Sequence, residues 1–233
     1  VEIKLGDEWK YRTLWFFFKG KFKYYDKIVC VSKALVEPFK KMSGVKDKEF
    51  GVIQNFIDVS EIRRKSEMEP ENFSVDENCL NFVALGRLCH QKGYDIMLDI
   101  FAKACEQRDD IRLYIIGGGP DEAVLKEQAK NLGIENKVFF LLNQSNPYCY
   151  MKLMDAFIST SRYEGQPLNI MEAMAVGLPL YCSKNLEQYS EGLEGREDLV
   201  SAIVNAEKMP KQPDDLKAYN QLIIDSIVEL ANS

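Results

Sequence analysis

Two carboxylates, Glu164 and Glu172, stand eight residues apart at either end of the run Glu-Gly-Gln-Pro-Leu-Asn-Ile-Met-Glu. On one continuous helix that spacing is an offset of about 80°, so the two acids address different parts of one ligand. Gly165 allows a sharp turn and Pro167 suits the first helical position, where its missing N–H is not needed. Residues 168–176 are good helix formers, and Gly177 with Pro179 ends the run. A helix opening here turns backbone N–H groups around Gln166 to Ile170 outward at the positive end of its dipole, where phosphate binds. A carboxylate repels phosphate but accepts hydrogen bonds from hydroxyls. Two such acids around an anion-binding helix mouth point to a phosphorylated sugar. The plain alternative is a capped core helix with two surface acids.

A second group of residues supplies positive charge. Gly86-Arg87 follows the apolar run 80–85, and Gln91-Lys92-Gly93 comes after a short loop. Ligands of open α/β sheets bind at strand carboxyl ends. There a guanidinium fork and an ammonium point charge suit a diphosphate. Without a ligand they would be two exposed bases on a loop. His90, the single histidine, lies between them; proton transfer is one role for it, a solvent-exposed loop position the other. No Ser-His-Asp or Cys-His set can be assembled around one histidine. Gly117-Gly118-Gly119-Pro120 invites a dinucleotide-binding reading, but the third glycine of that pattern would fall on Glu122, which argues against NAD. Asn143 and Gln144 follow another apolar run and belong at the same sheet edge.

Taken together, Glu164-Gly165-x-Pro167, Glu172-Ala173 and Gly177-x-Pro179 resemble the Glu-x7-Glu pattern of retaining GT-B glycosyltransferases, specifically family 4. Asn146-Pro147-Tyr148, Ser161-Arg162-Tyr163 and the Gly86-Arg87…Lys92-Gly93 pair match the same family. The resemblance spans residues 28 to 183. It implies that Glu164 approaches the transferred sugar and Glu172 holds the ribose. Arg87 and Lys92 hold the donor diphosphate as catalytic charges. Gly86, Asn143, Gly165, Gln166, Leu168 and Asn169 contact the donor. It implies no metal and no cofactor, the donor substrate being a UDP-sugar or GDP-sugar. Past Tyr181 the sequence departs from the family pattern.

These side chains need a scaffold that brings distant loops to one edge. Apolar runs at 80–85, 111–116, 138–142, 155–160 and 178–182 alternate with helical patterns at 94–106, 120–132, 147–154 and 168–176. That rhythm predicts an α/β fold with a Rossmann-like, doubly wound parallel sheet. Helices are expected at 197–208 and 214–230. Before this unit, 28–32 and 50–57 read as strands flanking a helix at 33–42, capped by Ser32 and ended by Gly44. The expected domains are a remnant of an acceptor domain (1–58), a linker (59–78), the nucleotide-sugar domain (79–212) and a crossing helix (213–233).

Composition narrows the alternatives. With 46% hydrophobic and 28% charged residues, the chain is an ordinary globular protein. Its net charge of −6 excludes bulk attraction to nucleic acid. The six scattered cysteines lack zinc-ligand spacing and read as reduced thiols in a cytosol. No run approaches the ~18 apolar residues of a membrane span. Residues 9–27 interleave nine aromatics with six lysines and arginines. They read either as a helix packing on a partner domain or as a peripheral contact with the inner face of a membrane. The first residue is Val1, so the sequence reads as a fragment, weak or inactive by itself.

The expected activity is retaining transfer of a hexose-type sugar from a nucleoside diphosphate to a saccharide or lipid-linked acceptor. Its setting would be cell-envelope polysaccharide or glycolipid synthesis. The rival is a non-catalytic nucleotide-sugar binding module or partner subunit. A phosphorylase would need a motif for a lysine-held cofactor, and an epimerase more acid–base groups than one histidine provides.

Overall fold

The computed structural model describes residues 21–45, 48–189 and 193–232. The chain divides into two units, residues 1–55 with 221–233, and residues 56–220. In the first, strands β1 (Lys27–Cys30) and β2 (Glu49–Val52) pair in parallel, connected through helix α1 (Val36–Ser43). The second strand is shorter than the expected 50–57. Ser32 gives no side-chain cap: a 3₁₀ turn over Lys33–Leu35 precedes α1, and Gly44 ends it at φ +70°. Of the basic-aromatic stretch 9–27, residues 9–20 lie outside the described residues. In the remainder, Tyr24 and Tyr25 are exposed, while the Phe22 ring meets Phe39 edge-on at 5.0 Å.

The second unit begins with a departure from expectation. The presumed linker opens as helix α2 (Val59–Ser66), whose N-terminus is held by Asp58 accepting from the Glu61 amide at 3.0 Å. Only Val59, Ile62 and Ser66 of its residues are buried, a stripe too short to stand out among the charges of Glu61, Arg63, Arg64 and Lys65.

After it come β3 (Leu80–Leu85), α3 (Tyr94–Cys105), β4 (Ile111–Ile116), α4 (Glu122–Asn131), β5 (Val138–Leu142) and α5 (Pro147–Leu153). Then follow β6 (Ala156–Ser159), α6 (Leu168–Val176), β7 (Leu180–Ser183), β8 (Gly195–Arg196), α7 (Leu199–Val204) and α8 (Lys217–Asn232). The six strands form one sheet in the order β5-β4-β3-β6-β7-β8, every pairing parallel. The doubly wound sheet read from the sequence is therefore present. The edge strand β8 was not anticipated, because two residues carry no period. The helix expected at 197–208 is limited to α7, capped by Asp198.

Strand pleat sorts the core into two layers. Phe82, Leu113 and Ile115 face α3, α4 and α7, meeting Leu98, Phe101, Leu125 and Ile203. Val83, Tyr114 and Ile116 face the opposite way, with Ile62, Met151, Ile170 and Met171 from α2, α5 and α6. Strand β3 is buried on both faces, as a central parallel strand must be. The chain winds outward from β3 through β4 to β5, then returns to lay β6 on the other side of β3. The strand order therefore reverses between β3 and β6, and the carboxyl ends of strands at such a reversal are where open sheets of this kind bind ligands.

Candidate active site

The loop after β3 carries Gly86, Arg87 and Lys92; the loop after β6 carries Glu164 to Gln166. A set of short contacts zips the two together. Gly93 has φ +65°, and a Cβ there would stand 2.2 Å from the Thr160 carbonyl oxygen. The Thr160 hydroxyl donates to the Gly93 carbonyl at 2.8 Å. The Arg162 amide donates to the Gln91 carbonyl at 2.8 Å. The Arg162 guanidinium grips Asp95 with two bonds of 2.7 and 2.6 Å and reaches the His90 carbonyl at 2.8 Å. This fork holds the Asp95 carboxyl below the usual carboxylate range. His90 is exposed and contributes its backbone here.

The zip places Lys92 against Glu164. Its Nζ donates to Oε1 at 2.7 Å, with the side chains 17% and 5% exposed. Gln91 adds bonds to the Tyr163 carbonyl at 3.1 Å and to Glu164 Oε2 at 3.4 Å. A cation 72 residues away in sequence is thus brought to the acid at the helix mouth. The Lys92 stem lies beside Gly86, where a Cβ would meet Cε at 3.2 Å.

The mouth itself is more closed than the sequence suggested. Pro167 occupies the cap position of α6 rather than its first helical residue. The Leu168 amide donates to the Gln166 carbonyl at 2.9 Å, and that of Ile170 to the Pro167 carbonyl and to Asn169 Oδ1. Asn169 is buried, and its Nδ2 donates to the Leu85 carbonyl at 2.8 Å, tying α6 to the end of β3. Gln166 is also buried, its amide donating to the Tyr219 hydroxyl. Gly165 is half-buried and Leu168 exposed at the rim.

Beside this lies a cleft of about 390 Å³ lined by Leu85, Gly86, Arg87, Ile116, Gly117, Gly118, Asn143, Gln144 and Pro147. Arg87 is exposed on it. The glycine run forms one wall because backbone packs directly on backbone: a Cβ on Gly117 would lie 2.0 Å from the Gly86 carbonyl oxygen. The Leu88 amide donates to the Gly118 carbonyl at 3.0 Å, and Asn143 Oδ1 accepts from the Gly118 amide at 2.8 Å. The cleft therefore gathers Arg87, Asn143 and Gln144 as expected. It also shows why three glycines serve without a dinucleotide fingerprint.

Glu172 sits one turn into α6. Burial pushes its carboxyl above the usual range, opposed by a bond from Tyr148 and by the charge of Lys92. The Tyr148 hydroxyl donates to Oε1 at 2.9 Å. Neither this pairing nor the Arg162–Asp95 fork was found from sequence. Each joins elements that meet only in the folded chain.

The Lys92–Glu164 pair, the exposed Arg87 and the Tyr148–Glu172 pair thus stand on loops and helices at the carboxyl edge of the sheet. The sequence profile described as "Glycosyl transferases group 1" matches residues 64–220, more than half of the chain. This chain belongs to the group 1 glycosyl transferases. Among its relatives, the alpha-monoglucosyldiacylglycerol synthase of Streptococcus pneumoniae is 29% identical over 199 residues, covering 78% of this chain and 44% of its own length. The mannosylfructose-phosphate synthase of Agrobacterium fabrum is 31% identical over 171 residues, 66% of this chain and 37% of its own length. The chain thus spans less than half the length of these curated relatives. The structure of Anabaena Alr3699/HepE in complex with UDP and glucose superposes with a TM-score of 0.65 at 20% identity, over 88% of this chain and 63% of that one. A mutant of S. aureus TarM, in complex with Fondaparinux, alpha-GlcNAc-glycerol and UDP, gives 0.67 at 16% identity, over 91% and 45%. The fold of this chain is accordingly a Rossmann-like α/β sheet similar to that of GT-B glycosyltransferases. Among the described residues no helix is long and apolar enough to cross a membrane.

Proposed function

We propose that this chain is the donor-binding part of a retaining glycosyltransferase of family 4. It moves a hexose-type sugar from UDP or GDP to a saccharide or lipid-linked acceptor. The observation that carries the reading is the Lys92–Glu164 pair at the mouth of α6, beside a cleft that carries Arg87. The diphosphate lies on Arg87 and Lys92, the nucleoside in the cleft by Asn143 and Gln144, and the ribose on Glu172. The sugar reaches Glu164, with Gly86 and the backbone of Gly165 to Asn169 shaping the wall around sugar and diphosphate.

In transfer, the bond from the anomeric carbon to the diphosphate oxygen breaks and a bond to the acceptor oxygen forms on the same face. The acceptor's proton passes to the departing phosphate, and the nucleoside diphosphate leaves. Negative charge grows on the diphosphate as the bond breaks, so two fixed cations lower the barrier without a metal or other cofactor. Glu164, released from Lys92 by the incoming diphosphate, stabilises positive charge at the anomeric carbon. The relatives' names support a cell-envelope setting: a glucolipid synthase, a lipopolysaccharide core mannosyltransferase of Rhizobium meliloti and a lipopolysaccharide 1,6-galactosyltransferase of Salmonella typhimurium.

The test is calorimetric titration of the chain with UDP and GDP, followed by an assay of hydrolysis or transfer with their sugars. Binding of one diphosphate, lost in Arg87→Ala, supports the donor site. Saturation without turnover under every condition would favour a binding module, and no binding of either diphosphate would sink the reading.

A further inference from the structure

Tyr148 is placed where no ligand role was expected of it. It stands in the first turn of α5, directly after Pro147, which lines the nucleotide cleft. Its phenol leaves its own helix and donates to Glu172 Oε1 on α6 at 2.9 Å. Both residues are partly buried. A carboxylate on a half-open helix face has several staggered rotamers. One hydrogen bond to Oε1 from a rigid aromatic arm selects among them and leaves Oε2 as the oxygen free to meet a ligand. The charge of Lys92, from the loop after β3, acts on Glu172, and that of Glu61 on α2 acts on the phenol.

We propose that Tyr148 is a positioning residue for nucleoside recognition: by holding Oε1 of Glu172 it aims the other oxygen at the ribose hydroxyls, and so sets the preference for ribonucleotides over deoxyribonucleotides. This rests on the assignment of Glu172 to the ribose. Without the phenol, Glu172 loses its aim. The contacts made to the diphosphate elsewhere are then retained while discrimination between sugars fades.

The experiment compares affinities for UDP with 2′-deoxy-UDP and 3′-deoxy-UDP, or the guanosine series where GDP binds, in the wild-type chain, Tyr148→Phe and Glu172→Gln. Loss of a hydroxyl bonded to a charged group should weaken wild-type binding roughly tenfold or more. In Tyr148→Phe that ratio should fall several-fold toward one, with ribonucleotide affinity reduced and deoxyribonucleotide affinity little changed. Tyr148→Met carries the same test if the Phe variant does not fold. A role confined to packing would weaken all ligands equally and preserve the ratio, which overturns the proposal. If the wild-type chain binds both sugars alike, the assignment of Glu172 to the ribose fails, and the inference with it. Discrimination in wild type that persists in Tyr148→Phe defeats the inference alone.

Discussion

Gly93→Ala probes the junction on which the site depends. Gly93 ends the loop that carries Lys92, and its Cβ position is 2.2 Å from the carbonyl oxygen and 3.1 Å from the carbonyl carbon of Thr160. Thr160 immediately precedes the loop that carries Glu164. The opposing atoms are backbone, so no side chain can swing aside. Two penalties combine. An alanine at φ +65° costs about 1–2 kcal/mol for its left-handed conformation, and the overlap adds about 1–3 kcal/mol, as overpacking does elsewhere. The sum, about 2–5 kcal/mol, is a large share of the roughly 5–15 kcal/mol that holds a domain together. Gly133 supplies the internal control: φ is +70°, yet nothing lies within 4 Å of its Cβ position. Gly133→Ala should therefore cost only the conformational part, about 1–2 kcal/mol. Urea unfolding of both variants should show Gly93→Ala the less stable by about 1–3 kcal/mol with an unchanged denaturant slope. Calorimetry with the bound diphosphate should show weakened affinity in Gly93→Ala alone, because Lys92 moves with its loop. Equal stabilities together with equal affinities would refute the close apposition of these two loops.

Two further outcomes follow from the charges. Lys92→Met and Glu164→Gln should each destabilise the fold by up to about 3 kcal/mol, since each deletes one partner of a mostly buried pair. The double variant should lose less than the sum by at least about 0.5 kcal/mol, and strict additivity in a denaturation cycle would show the pair to be uncoupled. Glu172 has its carboxyl pushed up by burial, so it takes a proton at a higher pH than an ordinary glutamate. Nucleoside diphosphate affinity should fall on acidification before the ordinary range of about 4.3 is reached. The folded state, preferring the protonated acid, should meanwhile gain stability from this group over the same interval. Glu172→Gln should flatten both dependences, and an unchanged calorimetric pH profile in that variant would remove Glu172 from the contact.

Much of this was legible in one dimension. The alternation of apolar runs with helical patterns gave the parallel sheet, because each strand of a buried parallel sheet must be apolar along its length and each crossover needs a helix. Gly177 ended α6 where its left-handed conformation, φ +93°, was needed. Arg87, Lys92 and Glu164 could be assigned to loops at the carboxyl edge of the sheet because the strands before them were legible. Helix α2 and strand β8 were not legible. Their stability comes from partners in the fold: Ile62 and Val59 have value only against the layer formed by Met151 and Ile170, and β8 only against β7.

Sequence alone settled the class of fold and put Arg87, Lys92 and Glu164 in the loops that follow its strands, since the period of apolar residues and the turn residues act locally along the chain. Tertiary structure alone decided their pairings. Lys92 meets Glu164, Arg162 grips Asp95, Tyr148 aims at Glu172, and the amides of Leu168 and Ile170 are engaged before any ligand arrives. A hydrogen bond depends on distances of a few tenths of an ångström. Those distances are set by how α3, α5 and α6 seat on the two faces of the sheet, a geometry that no periodicity in the chain encodes.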